Sequence, residues 1–332
     1  MSMTGPNAMP AIQTPRPARL QVRSIVARLG LFLVILIFMA VMTFVSPVFL
    51  TIANFKNLFI QSTILAVLAL GQTFVIMTRG IDLSIGGTMA LTSAICIGLA
   101  VYSGLPTGLA LLVCLAAAVA IGLVNGLAVT LLGITPLIVT LATLSITRGA
   151  TFVYTNGANI TPVPESVAAF GRGALMGAPY SVILLAILGL VCHFILARTV
   201  FGRSVYATGG NEVAARLAGI PTHRVILTTY VICAVMAAIA GLILTARLES
   251  AGPRAGVGVE LTVIAACVIG GASLFGGTGS VTGTLLGVVL ISLVSNAINL
   301  LGVPPAWDDL VKGFVIFLAA VTDVWRRRLT KN

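Results

Sequence analysis

The chain has 332 residues, of which 58% are hydrophobic and 8% are charged, whereas about 25% of the residues of a soluble domain are charged. So few charges could not cover a water-soluble protein of this size, and the composition excludes an ordinary soluble domain. The net charge of +11 comes from basic residues at the ends of apolar segments. This placement argues against a nucleic-acid partner, which requires basic residues on a solvated face with aromatic residues between them.

Ten apolar segments predict ten helices that cross a lipid bilayer, because about 20 apolar residues span its hydrocarbon core. In chain order they lie at about residues 29–50, 57–78, 85–102, 108–131, 135–155, 180–200, 224–246, 259–273, 279–301 and 307–325. Residues 1–24 contain four prolines and few large apolar side chains, which predicts a disordered cytoplasmic tail. Residues 25–332 are expected to form one transmembrane domain, so the predicted fold class is an all-α, polytopic membrane protein.

Basic residues flank the predicted spans at both ends of the chain, at Arg16, Arg19, Arg23 and Arg28 and at Arg326, Arg327, Arg328 and Lys331. Short loops rich in Lys and Arg stay on the cytoplasmic side. Both termini are therefore predicted to be cytoplasmic, as an even number of spans requires. The same topology places the basic loop 201–223 in the cytoplasm and the weakly charged loop 156–179 outside.

Charged residues interrupt the apolar sequence in the stretch TRGIDLSIGG, residues 78–87. Asp82 is expected to accept hydrogen bonds from the amides near residues 84 and 85 and so to cap the following helix. Arg79 is expected to pair with Asp82 or to extend toward the membrane surface. A direct role in gating is an equally weighted alternative, because ionisable residues inside membranes are usually functional.

A second stretch, residues 270–278, resembles residues 79–88 with one residue deleted, and each opens a helix rich in small residues. Transporters are often built from repeats with broken helices at matching places, although chance similarity between glycine-rich helix starts is a serious alternative. The predicted broken-helix or gating residues are Arg79, Gly80, Asp82, Ser84, Gly270, Gly271, Gly276 and Gly277.

The cytoplasmic loop 201–223 contains the pattern of a short capped helix. Asn211 can cap its start, Glu212 and Arg216 stand four residues apart, and Gly219 is suited to its end. The helix could lie on the lipid surface, but its modest charge and its small alanine face favour docking against a protein.

Familiar catalytic sites have little support in this sequence. The two histidines, His193 and His223, are far apart, and no lysine stands in the G-x-x-x-x-G-K-[ST] pattern of a nucleotide-binding loop. If ATP drives this protein, another chain is expected to bind it. The near absence of acidic residues inside the spans also disfavours a proton- or sodium-driven carrier.

Four motifs in this order and spacing resemble the permease subunits of ribose-type sugar ABC importers: GIDLSIGG (80–87), ITPLIVTLATLSITRG (134–149), TGGNEVAARLAGI (208–220) and VELTVIAACVIGGASLFGGTGSVTGTLLG (259–287). The wider bacterial family includes branched-chain amino-acid and nucleoside permeases. The similarity covers about residues 28–325.

The resemblance implies a fold of the vitamin-B12-importer class in the bacterial inner membrane. It implies a second permease chain, ABC ATPase subunits that hold ATP and Mg, and a periplasmic sugar-binding protein, with no cofactor on this chain. Residues 209–220 match the family's ATPase-coupling loop, and the residues carried over are Gly209, Gly210, Asn211, Glu212, Ala215, Arg216, Gly219 and Ile220.

Polar residues within the predicted spans are guesses for the substrate pathway: Asn125, Thr135, Thr140 and Asn296. Hydrogen bonding to neighbouring helices is the likelier role for each of them. The chain departs from the family at Thr262, where an aspartate usually follows Glu-Leu, so a sugar-specific role at this position does not carry over. A nucleoside or signalling-sugar permease of the same family and a self-sufficient channel or carrier remain alternatives.

Overall fold

The computed structural model describes residues 17–304 and, beyond them, 306, 307, 310, 311, 313, 314, 317 and 321, with side chains from Gly30 onward. Twelve α-helices and one short hairpin can be delimited within residues 17–304. The helices are α1 Pro17–Val45, α2 Ile52–Met77, α3 Ile85–Tyr102, α4 Thr107–Thr130, α5 Pro136–Tyr154, α6 Glu165–Arg172, α7 Tyr180–Arg198, α8 Val200–Gly210, α9 Glu212–Leu217, α10 Thr222–Leu248, α11 Val259–Ile269 and α12 Val281–Leu300. The hairpin pairs β1 Ala174–Leu175 with β2 Ala178–Pro179 in antiparallel fashion.

Seven of the described helices are long and apolar enough to cross a membrane: α2, α3, α4, α5, α7, α10 and α12. They coincide with seven of the predicted spans and confirm a mostly helical, multi-pass membrane protein. Two shorter apolar helices, Gly30–Val45 and Val259–Ile269, stand at the predicted first and eighth spans. The predicted tenth span, 307–325, lies largely outside the described residues.

The start of the chain differs in part from the prediction of a disordered tail over residues 1–24. Residues 1–16 lie outside the described part of the chain. Residues 17–24, in contrast, form the first turns of α1, which begins at Pro17. Proline suits the first position of a helix because the amide that it lacks would have no partner inside the helix there.

Helix α2 lies at the centre of the molecule, and 78% of its most apolar window is buried. Helices α7, α10, α11 and α12 pack around it. The buried Thr73 side chain bonds to one of these neighbours, through a 2.8 Å contact between its hydroxyl and that of Thr284 in α12. The five cysteines are all free and buried, so they pack as small core residues.

Small residues set the distance between α4 and α10. A Cβ atom on Gly122 would lie 2.6 Å from the Cα of Val231, and one on Gly126 would lie 2.9 Å from the Cα of Leu227. The four-residue spacing places both glycines on one face of α4. The two helix backbones approach closely there because neither glycine has a side chain.

The chain breaks its helices at the two places where the sequence echo predicted a junction. Helix α2 ends at Met77 and α3 begins at Ile85, while α11 ends at Ile269 and α12 begins at Val281. With 11 residues, α11 rises about 16 Å, roughly half of the hydrocarbon core. The first break is mostly buried in the helix assembly, with Asp82 fully buried, whereas the second is partly exposed.

Candidate functional site

Helix α9 has the cap and the ion pair that the sequence predicted. The Asn211 side chain accepts a hydrogen bond from the Ala214 amide at 3.1 Å, and the Arg216 guanidinium donates to the Glu212 carboxylate at 2.7 Å. Ala215 is buried on the inner face. On the outer face, Val213 and Leu217 are 70% and 85% exposed. The helix therefore presents two apolar side chains beside an ion pair.

The segment before α9 is a helix in the structure, whereas most of it was predicted to be a loop. Residues 200–210 form helix α8, whose start is capped by the Thr199 hydroxyl accepting from the Gly202 amide at 3.1 Å. The Ile220 amide donates to the Ala215 carbonyl oxygen at 3.0 Å after Gly219, which adopts a positive φ of 83°. Helices α8 and α9 thus form a compact elbow between α7 and α10.

Asp82 is fully buried in the break between α2 and α3. Its carboxylate accepts from the Ser84 amide at 2.8 Å and from the Ser84 hydroxyl at 2.6 Å, which confirms the predicted bond to the start of α3. The Gln72 side-chain amide in α2 is oriented so that its nitrogen donates to the Asp82 carbonyl oxygen at 3.2 Å and its oxygen accepts from the Asp82 amide at 3.1 Å.

A buried chain of hydrogen bonds continues from this break into two other spans. The Asn125 amide in α4 donates to the Ser84 hydroxyl at 2.9 Å, and the Thr143 hydroxyl in α5 donates to the Asn125 carbonyl oxygen at 2.6 Å. Asn125 and Ser84 are 0% and 1% exposed. A polar network of this kind holds its members in one arrangement, because each group that loses its partner stays buried and unsatisfied.

The remaining pathway guesses are distributed over different places. Thr140 is buried, with its hydroxyl 2.9 Å from the Pro136 carbonyl oxygen and 3.2 Å from that of Ile81. Asn296 exchanges two amide hydrogen bonds with Asn54, at 2.8 and 3.1 Å. Thr135 is exposed just before α5. Asn125, Thr140 and Asn296 therefore have partners in the protein, and any role of these residues in a substrate pathway stays a prediction.

An ion pair between two membrane helices was missed at the sequence level. Arg148, well inside α5, donates to Glu260 in the first turn of α11 at 2.6 Å. The Glu260 side chain is 7% exposed and that of Arg148 is 29% exposed, and the Arg148 Nε has no hydrogen-bond partner. An arginine inside a predicted span requires a counter-charge, and this signal could have identified the pair.

The start of α3 packs closely against this ion pair. A Cβ atom on Gly86 would collide with the Glu260 carboxylate and with the Gly256 carbonyl oxygen. Two helix starts, those of α3 and α11, thus meet the middle of α5. Ionisable residues at such depth face the bundle interior or a water-filled cavity and mark substrate pathways in many membrane proteins.

Some of the predicted gating residues meet at one contact around Arg79, and the others lie elsewhere. Arg79 was expected to pair with Asp82 or to extend toward the membrane surface, and the ion pairs among the described residues do not include one with Asp82. The Arg79 guanidinium instead turns to the carbonyl oxygens of Gly209 and Gly210, which end α8. The Arg79 backbone has a positive φ of 66°. Gly276 and Gly277 lie at this same contact, whereas Gly270 packs against Gly283 of α12 and a Cβ on Gly271 would meet nothing within 4 Å.

Residues 54–320 match the family described as the branched-chain amino acid transport system permease component. The chain is 43% identical to the ribose import permease protein RbsC of Bacillus subtilis (strain 168), covering 92% of this chain and 95% of that protein. It is 34% identical to the L-arabinose ABC transporter permease protein AraH of Azospirillum brasilense, covering 98% and 95%. It is 35% identical to the autoinducer 2 import system permease protein LsrC of Enterobacter sp. (strain 638), covering 92% and 89%. No solved structure matches the chain.

Proposed function

The chain belongs to the branched-chain amino acid transport system permease family, and from this premise we propose that it is the membrane-spanning permease of a sugar importer of the ATP-binding-cassette class. Its cargo is a monosaccharide, as the names of the ribose and arabinose relatives suggest. The proposed full fold has ten spans in the vitamin-B12-importer class, in the bacterial inner membrane with both termini in the cytoplasm.

The proposed partners are a second copy of the permease, ABC ATPase subunits and a periplasmic sugar-binding protein. The ATPase subunits bind ATP and Mg, and the permease transmits their motion without an ATPase site of its own. Transport proceeds by alternating access, in which closure of the ATPase pair displaces the elbow of α8 and α9 and the cavity opens to one side and then to the other. Gly209, Gly210, Asn211, Glu212, Ala215, Arg216, Gly219 and Ile220 form the proposed coupling loop.

The elbow of α8 and α9 is the observation that carries this proposal. Its last helix is too short to span a membrane, is capped by Asn211, and presents Val213 and Leu217 outward. A lone surface helix with an exposed apolar pair beside an ion pair is suited to docking against a protein, because buried apolar side chains supply most of the binding energy of an interface.

Reconstitution tests the proposed class directly. We expect that the purified chain alone in liposomes moves no sugar, and that ATP-dependent uptake begins when the ATPase and the binding protein are added. Sustained flux through the lone chain would instead identify a channel or a secondary carrier. A search of the neighbouring genes for a binding protein, followed by a measurement of the sugar, nucleoside or signalling sugar that it holds, would identify the cargo.

The role of α9 is tested by reversing one of its charges. Glu212→Arg replaces an ion pair with Arg216 by repulsion between like charges at helical spacing. Glu165→Arg is the matched control, because Glu165 forms a similar ion pair with Arg172 at 2.7 Å in the loop that is predicted to lie outside. We expect Glu212→Arg to reduce co-purification of the ATPase about tenfold and Glu165→Arg to leave it within twofold. Equal co-purification of the ATPase with both variants would count against docking at α9.

A further inference from the structure

Three separate segments meet at Arg79, just before the coupling helix α9. The Arg79 Nε donates to the Gly209 carbonyl oxygen at 2.7 Å, and its Nη2 donates to the Gly210 carbonyl oxygen. The amide of Gly277, in the loop between α11 and α12, donates to the Met77 carbonyl oxygen at 3.0 Å. The ends of α2 and α8 and the second helix break are therefore joined by hydrogen bonds.

The three segments approach so closely that only glycine fits between them. A Cβ atom on Gly209 would collide with the Met77 carbonyl oxygen and lie 2.6 Å from the Gly277 amide nitrogen. A Cβ atom on Gly276 would collide with the Cγ of Arg79. Contacts between backbones are stiffer than contacts through flexible side chains, so residues 77–80, 209–210 and 276–277 have little freedom to move separately.

Arg79 is suited to hold this junction because of its position and its chemistry. The carbonyl groups at the end of a helix have no partners within it and carry partial negative charge. The guanidinium presents its N–H groups in a rigid planar fork, which can hold two adjacent carbonyl oxygens at once. A lysine would keep the charge but would not hold both oxygens in a fixed geometry.

We infer that Arg79 is a positioning residue that transmits displacement of the coupling elbow to the break between α2 and α3. Arg79 stands three residues before Asp82, whose carboxylate holds Ser84, and Ser84 in turn bonds to Asn125 in α4. A movement of the elbow therefore reaches the start of α3 and the body of α4 through the bonds of Arg79 to the end of α8, the backbone from Arg79 to Asp82 and the bonds of Asp82 and Ser84. It also reaches α10 along the chain. This inference rests on the proposed function and identifies how that function would be coupled.

The decisive measurement is the number of sugar molecules taken up per ATP hydrolysed. The complete complex of permease, ATPase and binding protein is reconstituted in proteoliposomes, and uptake and hydrolysis are measured in the same preparation. We expect Arg79→Gln to lower uptake per ATP at least tenfold while ATPase co-purification stays within twofold. Arg79→Lys should restore part of the ratio. An Arg79→Gln complex with the wild-type ratio would overturn the inference, because Arg79 would then only cap α8.

A pair of glycine variants tests the junction without touching Arg79. Gly276→Ala introduces a methyl group into Arg79 at a φ of 78°, whereas Gly133→Ala introduces one at a φ of 67° with nothing within 4 Å. Both variants carry backbone strain, but only the first displaces Arg79. We expect Gly276→Ala alone to lower uptake per ATP, and this pair decides the question if Arg79→Gln does not assemble.

The inference and the proposed function fail in different ways. Equal ratios in Gly276→Ala and Gly133→Ala would reject the junction while the wild-type complex still imports sugar. A wild-type complex that takes up no sugar with ATP would reject the proposed function itself.

Discussion

The ion pair between Arg148 and Glu260 allows a quantitative test of the way in which α5 and α11 are held together. Glu260→Gln removes the counter-charge of an arginine whose Nε is already without a partner. Removing one member of a buried pair costs about 3–5 kcal/mol of the free energy of unfolding, because the other charge stays buried. The Arg148 side chain is 29% exposed, so we expect the lower end, about 3 kcal/mol. Arg148→Gln should cost a similar amount.

The double variant separates the pair from other effects of the two substitutions. With both charges removed, no uncompensated charge remains, so Arg148→Gln with Glu260→Gln should cost no more than either single change. The interaction free energy from the double-mutant cycle is then at least about 3 kcal/mol in magnitude. The assay is the free energy of unfolding in mixed micelles, obtained by titration with a denaturing detergent.

A second cycle at an exposed pair supplies the control. Arg172 and Glu165 bond at a nearly equal distance, 2.7 Å, but their side chains are 57% and 81% exposed. Exposed pairs contribute about 0.2–1 kcal/mol. If the cycle at Arg148 and Glu260 gave a value in this range, the claim that burial in the helix assembly strengthens the pair would be refuted.

Two further predictions concern packing inside the spans, and both are measured as free energies of unfolding in the same assay. Asn125→Ala should lower the free energy of unfolding by about 3 kcal/mol, because it breaks two hydrogen bonds in a buried network. Thr130→Ala removes only a bond to the same helix and should lower it by less than about 1 kcal/mol. Equal losses of stability in the two variants would show that the network adds nothing. Gly122→Ala should lower the free energy of unfolding by about 2 kcal/mol through its clash with the Val231 backbone. Gly108→Ala, on the same helix, has open space and should be neutral or slightly stabilising. A neutral effect of Gly122→Ala would contradict the close packing of α4 and α10.

Local patterns in the sequence were sufficient for several elements of the structure. Apolar length identified the seven long helices, because a span is a property of about 20 consecutive residues. The capped helix at α9 was predicted residue by residue, since Asn211, Glu212 and Arg216 interact within one or two turns. The two helix breaks were also predictable, because each leaves a cluster of glycines in its own stretch of sequence.

Contacts between distant segments were not predictable in this way. Arg148 and Glu260 are separated by 112 positions, and Arg79 and Gly209 by 130. No spacing rule connects such residues, because their proximity depends on how the helices pack. Arg79 was expected to pair with Asp82 or to extend toward the membrane surface, but its guanidinium donates to two carbonyl oxygens at the end of α8.

The central position of α2 has a consequence for the order in which the protein is made. Thr73 of α2 bonds to Thr284, 211 positions later in the chain, and the neighbours α10, α11 and α12 are also late. At a synthesis rate of about 5–20 residues per second, the central helix waits roughly 10–40 seconds before these partners exist. During that time Thr73 is without its partner in α12, so the contacts of α2 with the last helices must form after those helices are inserted.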